Sequence, residues 1–168
     1  MNATLPGEWM NMGGWNDVED PVPGPFWRAL VGDRSSERKA VQEWYGRACQ
    51  FAFRQSVRDD IDTTFLLKTL KSTHVHEFLN RVQEAVWGRT LAAIDLKDEE
   101  SLSLALCPPE TGLDDIVAIL YGCSVPVVLR KVRSYYKLIG ECFVYGMMDG
   151  EAFTGREANS STETFGLI

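Results

Sequence analysis

Residues 114–153, DDIVAILYGCSVPVVLRKVRSYYKLIGECFVYGMMDGEAF, decide the fold of this chain. The stretch contains three apolar runs, separated by a glycine turn and by a charged turn, and short β-branched runs of this kind predict an antiparallel meander. The runs are nearly continuous rather than alternating, so both sheet faces are expected to be covered, by helices or by curling into a small barrel. The predicted strands are residues 116–120, 125–129 and 135–145.

Before this stretch, the apolar residues recur at helical spacing up to Gly88, and the pattern after Gly88 predicts strands. In the longest helical pattern, Trp44, Tyr45 and Ala48 fall at spacings that place apolar side chains on one helix face. Three tryptophans, Trp27, Trp44 and Trp87, are expected to be buried where the helices meet the sheet. The predicted helices are 26–31, 41–57, a short one through Phe65, Leu66 and Leu70 that Asp62 or Thr63 caps, and 73–87; the predicted strands are 90–94 and 101–106.

This order predicts an α+β fold, with amino-terminal helices packed on a small antiparallel sheet or barrel of about five strands. Residues 1–25, rich in glycine and proline, are expected to form an irregular entry segment. Residues 26–153 are expected to form a single domain, helical over 26–88 and β over 89–153. The polar, turn-prone residues 154–168 are expected to form a flexible tail.

Composition narrows the classes of function. The chain has 168 residues with 17 basic and 24 acidic side chains, a net charge of −7. This balance opposes non-specific binding of nucleic acid and docking on anionic membranes. The four cysteines show no CxxC spacing, and the sequence contains no signal peptide or transmembrane run. Free thiols in a reducing cytoplasm are therefore expected.

Two blocks of the sequence resemble a known family. The strings GCSVPVVLR and IGECFVYGMMDGEAF are similar to the carboxy-terminal region of fungal heterokaryon incompatibility proteins, and FWRALVGDRSSERKA with WYGRACQ resembles the helical stretch upstream of it. The resemblance covers residues 26–153 but not the amino-terminal incompatibility domain, which residues 1–25 do not resemble. It implies a link to self/non-self recognition without implying a catalytic activity.

Residues that could carry catalysis or bind a metal are few. His74 and His76 would point about 200° apart on a helix, so they cannot share a metal ion. Asp114 and Asp115 are adjacent, so their side chains would point to opposite faces of a strand and are expected to mark a turn. The sequence has no phosphate-binding glycine loop and no nucleophile–base pair at catalytic spacing. It therefore predicts no enzyme activity, no metal site and no cofactor.

The best candidate site is a binding surface for a protein partner. It comprises Tyr135, Tyr136, Tyr145, Asp149 and Glu151, because aromatic side chains supply contact area and the carboxylates would select a basic partner. An equally weighted alternative places the tyrosines in the core, and the carboxylates are expected to pair with Arg130 or Arg133 across the meander.

The sequence thus predicts a non-catalytic regulatory or protein-interaction module. Two other classes of function remain open. One is a small barrel that binds a peptide or nucleic acid. The other is a fragment of a nucleotide-hydrolysing incompatibility protein.

Overall fold

The chain folds as an α+β protein, as predicted. The computed structural model describes residues 4–55, 60–95, 102–151 and 162–168. The helices are α1 (Glu8–Met12), α2 (Gly24–Leu30), α3 (Trp44–Phe53), α4 (Thr63–Thr69) and α5 (Thr73–Val86). The strands are β1 (Thr4–Leu5), β2 (Ile61–Asp62), β3 (Thr90–Asp95), β4 (Leu102–Cys107), β5 (Ile116–Ala118), β6 (Val127–Val132), β7 (Tyr135–Glu141) and β8 (Phe143–Val144). None of the described helices is long and apolar enough to cross a membrane.

The helix boundaries follow from local chemistry. Asp62 Oδ1 accepts a hydrogen bond from the Phe65 N–H at 2.9 Å and caps α4, which was one of the two predicted caps. Ser72 Oγ accepts from the Val75 N–H and caps α5. Gly32 and Gly88 follow the ends of α2 and α5 with positive φ angles of 61° each, a conformation that glycine adopts without steric cost.

The prediction of one five-stranded sheet or barrel is wrong. The strands form a helix-packed sheet of order β3-β4-β8, an outer sheet of order β5-β6-β7, and a two-stranded ribbon of β1 and β2. The predicted strand 135–145 breaks at Cys142, whose N–H donates to the Pro126 carbonyl at 2.9 Å beside β6. The residues after this break, Phe143 and Val144, pair instead with β4. One continuous apolar run therefore supplies strands to two sheets.

Strand β4 is buried on both of its faces. Leu104 and Leu106 belong to the larger core cluster, which the helices share. The alternate residues Ala105 and Cys107 belong to a smaller cluster that includes Val128 of β6. Successive side chains of a strand point to opposite faces, so the helix-packed sheet lies between the helices and part of the outer sheet.

Two predictions for the chain's ends need correction. The entry segment is not irregular throughout, because residues 4–25 contain β1 and α1 and bury Trp9 and Trp15. Residues 154–161 of the expected flexible tail lie outside the described residues. Residues 162–168 are placed against the outer sheet, where Leu167 forms a bridge with Tyr136.

The three tryptophans predicted to be buried differ in environment. Trp27 is buried, with 3% of its surface exposed. Trp44 is half-buried beside Tyr45, with ring centroids 4.2 Å apart. The prediction is wrong for Trp87, which follows α5 and is 51% exposed, because α5 ends before this residue and its apolar stripe ends with it.

Trp27 and Trp87 form a matched pair for testing the core. We expect Trp27→Ala to lower the free energy of unfolding by about 3–5 kcal/mol, since it leaves a cavity in the larger core. Trp87→Ala should cost less than about 1 kcal/mol, because the side chain is half in solvent. Urea denaturation of both variants measures the difference. Equal losses of stability would contradict this account of the core.

Candidate functional site

The five residues of the predicted surface occupy two different parts of the fold. Tyr135 and Tyr136 begin β7, an edge strand of the outer sheet. Tyr145 directly follows β8 of the helix-packed sheet, and Asp149 and Glu151 lie in the turn beyond it. The long strand predicted to hold all three tyrosines on one surface is broken at Cys142, which separates the two groups.

The outer edge of β7 is occupied by the chain itself. The Tyr136 N–H donates to the Gly166 carbonyl at 2.8 Å, and the Ile168 N–H donates to the Tyr136 carbonyl at 3.0 Å. These two bonds form a parallel bridge between Tyr136 and Leu167. Segment 162–168 therefore satisfies backbone groups that an edge strand otherwise leaves open to another chain.

Side chains add specificity to this pairing. The Phe165 ring meets the Tyr136 ring edge-on, with centroids 4.9 Å apart and planes at 87°. Gly166 lies so close to Tyr135 that an added Cβ would sit 3.1 Å from the Tyr135 ring. The edge of β7 thus accepts an aromatic residue followed by a small one. Tyr135 is 54% exposed beside this contact, so it belongs to the surface rather than the core.

The outer sheet also carries an apolar row on the face away from the helix-packed sheet. Ile116, Leu129 and Leu138 are paired across the three strands, so their side chains point to one face. The neighbouring residue Val128 points the other way, into the smaller core cluster. Leu129 is fully buried at the centre of the row, whereas Ile116 and Leu138 are 38% and 50% exposed. The exposed apolar area of this face is therefore limited to Ile116 and Leu138.

The charge around this edge is basic, although the chain as a whole is acidic. Lys131, Arg133 and Lys137 are exposed on the β6–β7 hairpin. Within the described ranges no ion pair involves any of the three. The hairpin therefore favours an acidic ligand.

Asp149 and Glu151 are engaged within the protein. The prediction that they pair with Arg130 or Arg133 is wrong for Asp149: the Arg34 guanidinium donates to both of its carboxylate oxygens, at 2.5 and 2.6 Å. This hydrogen-bonded pair raises the pKa of Arg34. The Asp149 N–H donates to a Glu151 carboxylate oxygen at 2.6 Å, which closes the turn. Asp149 is thus already paired with an arginine of its own chain.

Tyr145 fits the alternative in which the tyrosines are core residues. It is half-buried against the larger core cluster. Its N–H donates to the Leu104 carbonyl at 2.9 Å, and its carbonyl accepts from Ser103 Oγ at 3.0 Å. Tyr145 therefore extends the pairing of β8 with β4.

The remaining candidate residues have structural partners. The His74 ring lies 4.6 Å from the Trp44 ring, and His76 Nε2 is bonded to the Leu70 carbonyl. Asp115 accepts from the Gly112 N–H at 2.8 Å and from Arg130, so it closes a turn as predicted. Across the described residues, no group of three or more histidine, cysteine, aspartate or glutamate side chains is placed to hold a metal ion.

Sequence reasoning missed segment 162–168 as part of the site. The available signal was Phe165-Gly166-Leu167-Ile168, a short apolar string within an otherwise polar tail. Comparison of the chain with protein-family models, with curated proteins and with solved structures finds no match. The resemblance to heterokaryon incompatibility proteins stays a prediction.

The Asp115–Arg130 pair makes stability depend on pH. The hydrogen bond from Arg130 lowers the pKa of the Asp115 carboxyl. A carboxyl whose pKa is lower in the folded protein than in the unfolded chain stabilises the fold at pH values above its unfolded-state pKa of about 3.9. This contribution is lost as the pH falls through the pKa of the folded protein. We expect Asp115→Asn to lower the thermal midpoint at pH 7 and to have little effect at pH values where Asp115 is protonated.

Asp114→Asn is the matched control, since Asp114 is the exposed neighbour. Thermal unfolding followed by circular dichroism between pH 2 and 7 measures both variants. A deficit of Asp115→Asn that stays constant over this range would contradict the role of the ion pair.

Proposed function

We propose that this chain is a non-catalytic protein-interaction module that binds an extended segment of a protein partner at the outer edge of β7. The observation that carries the proposal is the chain's own segment 162–168, paired there through the backbone of Tyr136. Strand addition to a sheet edge is a general mode of peptide recognition, in which backbone hydrogen bonds give affinity and side-chain contacts give specificity.

The chemistry of the edge defines the partner segment. It carries an aromatic residue to meet Tyr136, a small residue beside Tyr135, and an aliphatic residue next, as Phe165, Gly166 and Leu167 do here. It is acidic in its flanks, because the hairpin presents three exposed cations that form no ion pair with another described residue. The basic partner suggested by the sequence is replaced by an acidic one, since Asp149 is already bound to Arg34.

The chain's own segment then regulates the site by competition. A partner must displace residues that are tethered to the same chain. Its apparent affinity therefore decreases as the fraction of molecules whose edge is occupied by segment 162–168 increases. This arrangement suits the regulatory part of a self/non-self recognition protein of the heterokaryon incompatibility type. A cytoplasmic location is part of the proposal and is supported by four free cysteines.

A synthetic peptide with the sequence of residues 162–168, TETFGLI, tests the edge directly by fluorescence polarisation. The chain with Phe165→Ala should bind it roughly 2- to 10-fold more tightly than the unaltered chain, since the competing ring contact is lost. Thr164→Ala, at the exposed neighbouring position, is the matched control and should bind like the unaltered chain.

Methylation of single backbone nitrogens of the peptide distinguishes strand addition from non-specific hydrophobic binding. Methylating the nitrogen that corresponds to Ile168 removes the bond to the Tyr136 carbonyl and should weaken binding about fivefold or more. Methylating the nitrogen that corresponds to Leu167 should have little effect, because the bridge uses the Gly166 carbonyl and the Ile168 N–H. Equal binding of the two methylated peptides would refute strand addition at this edge.

The absence of catalysis is proposed on the ground that the candidate groups have structural partners. Asp115 and Asp149 are held by arginines, and His76 is bonded to a backbone carbonyl. We expect the purified chain to release no nicotinamide from NAD and no phosphate from ATP above a heat-denatured control. Turnover above that control in a chromatographic assay would overturn this part of the proposal and leave the edge-binding part untouched.

A further inference from the structure

Cys107 and Cys142 are cross-strand neighbours. Strands β4 and β8 pair Ala105 with Val144 and Leu106 with Phe143, so extending this antiparallel register by one residue brings Cys142 opposite Cys107. The two thiols are hydrogen-bonded to each other. Both thiols are free and buried, with 1% and 2% of their surface exposed. Both belong to the smaller core cluster between the two sheets.

The hydrogen-bond pattern shows what kind of pair this is. The Tyr145 N–H donates to the Leu104 carbonyl, and hydrogen-bonded pairs alternate with non-hydrogen-bonded pairs along an antiparallel ladder. Three positions further on, Cys107 and Cys142 form a non-hydrogen-bonded pair; accordingly, the Cys142 N–H is directed to Pro126 instead of β4. Cα atoms in such pairs are about 4.5 Å apart, within the span of about 4.4–6.8 Å that a disulfide requires.

A cleft reaches the Cys142 thiol of this pair, whereas Cys107 is not among its lining residues. It has a volume of about 260 Å³, and its lining includes Cys142, Arg89 and Leu106. The Arg89 guanidinium donates to the carbonyl of Leu106 at 3.4 Å. Because Leu106 immediately precedes Cys107, this bond places a positive charge close to Cys107. An electropositive setting of this kind favours a thiolate.

The two thiols are not equivalent. The hydrogen bond from Cys142 and the charge of Arg89 lower the pKa of Cys107 against the opposing effect of burial. The same hydrogen bond, together with burial, raises the pKa of Cys142. Cys107 therefore suits the attacking thiolate and Cys142 the thiol that resolves the product.

We propose that Cys107 and Cys142 form a peroxide-sensitive dithiol that closes a disulfide between β4 and β8. The Cys107 thiolate attacks one oxygen of hydrogen peroxide, the O–O bond breaks, and the sulfur keeps one hydroxyl as a sulfenic acid while the hydroxide that leaves takes up a proton to become water. The Cys142 sulfur then attacks the Cys107 sulfur, the Cys142 proton and the sulfenic hydroxyl leave as water, and the S–S bond forms. Two thiols are oxidised and one peroxide is reduced to two waters.

The disulfide would enclose the whole outer sheet in a covalent loop. Strands β5, β6 and β7 all lie between residues 107 and 142. Closing a loop of this length restricts the unfolded chain, and the thermal midpoint should rise by roughly 10 °C on oxidation. The inference is independent of the proposed function, because it rests on the β4–β8 register and the surroundings of the two thiols and not on the edge of β7.

The test uses the full chain carrying Cys123→Ser, since Cys123 is the exposed cysteine and would form intermolecular disulfides. After treatment with hydrogen peroxide and blocking of free thiols, peptide mapping should show Cys107 and Cys142 joined and the protein lighter by two hydrogen atoms. Dithiothreitol should restore both thiols and the original thermal midpoint. Two free thiols, or separate oxidation of each cysteine to the sulfinic state, would overturn the proposal.

Single substitutions test the assigned order of steps. With Cys142→Ala, peroxide should leave a sulfenic acid on Cys107 that dimedone traps. Cys107→Ala should give little trapping at Cys142, because that thiol holds its proton more tightly. Trapping only in the Cys107→Ala chain would overturn the order of steps. If a variant fails to fold, peptide mapping of the chain that keeps both cysteines still shows whether the disulfide forms.

Discussion

The close approach of the Trp27 indole to the backbone of Gly46 fixes how α2 and α3 pack together. A Cβ at position 46 would lie 2.9 Å from Trp27 Nε1, a distance that real side chains essentially never adopt. Glycine is therefore required within a helix, where it is intrinsically unfavourable. Helices α2 and α3 come closest to each other at this contact. It thereby fixes the position of the aromatic residues that neighbour Gly46 in sequence.

From this contact the larger core extends through aromatic side chains to the helix-packed sheet. The Tyr45 and Phe53 rings of α3 meet Phe78 of α5 at 6.2 and 5.9 Å between centroids. Leu104 and Leu106 of β4 close the same cluster from the sheet side. Because β4 also buries its other face, it links the helical layer to the cluster beneath the outer sheet. The edge of β7 lies on that outer sheet, two strands away from β5.

The residues on which the two proposals rest lie near the point where the two sheets are joined. Cys142 directly follows β7, donates its N–H to the Pro126 carbonyl, and forms a side-chain hydrogen bond with Cys107 of β4. Because the chain passes from one sheet to the other at this residue, β7 has no neighbouring strand among the described residues on its outer side. Segment 162–168 of the same chain pairs with β7 there. An uncovered edge would be a site for non-specific pairing, and segment 162–168 covers part of it.

The α+β class, the approximate positions of the main helices and strands, and the change from helices to strands near Gly88 could be predicted from the sequence. These features depend on apolar period and on local backbone preferences, which are encoded within a few neighbouring residues. The sequence identified Tyr135 and Tyr136 as surface candidates but not their partners. Three features follow from long-range packing instead: the long run breaks at Cys142, Asp149 binds Arg34, and the Phe165 ring contacts the Tyr136 ring. Arg34 and Asp149 are separated by 115 positions in the chain, and such a pairing depends on which surfaces the folded core brings together rather than on any local pattern.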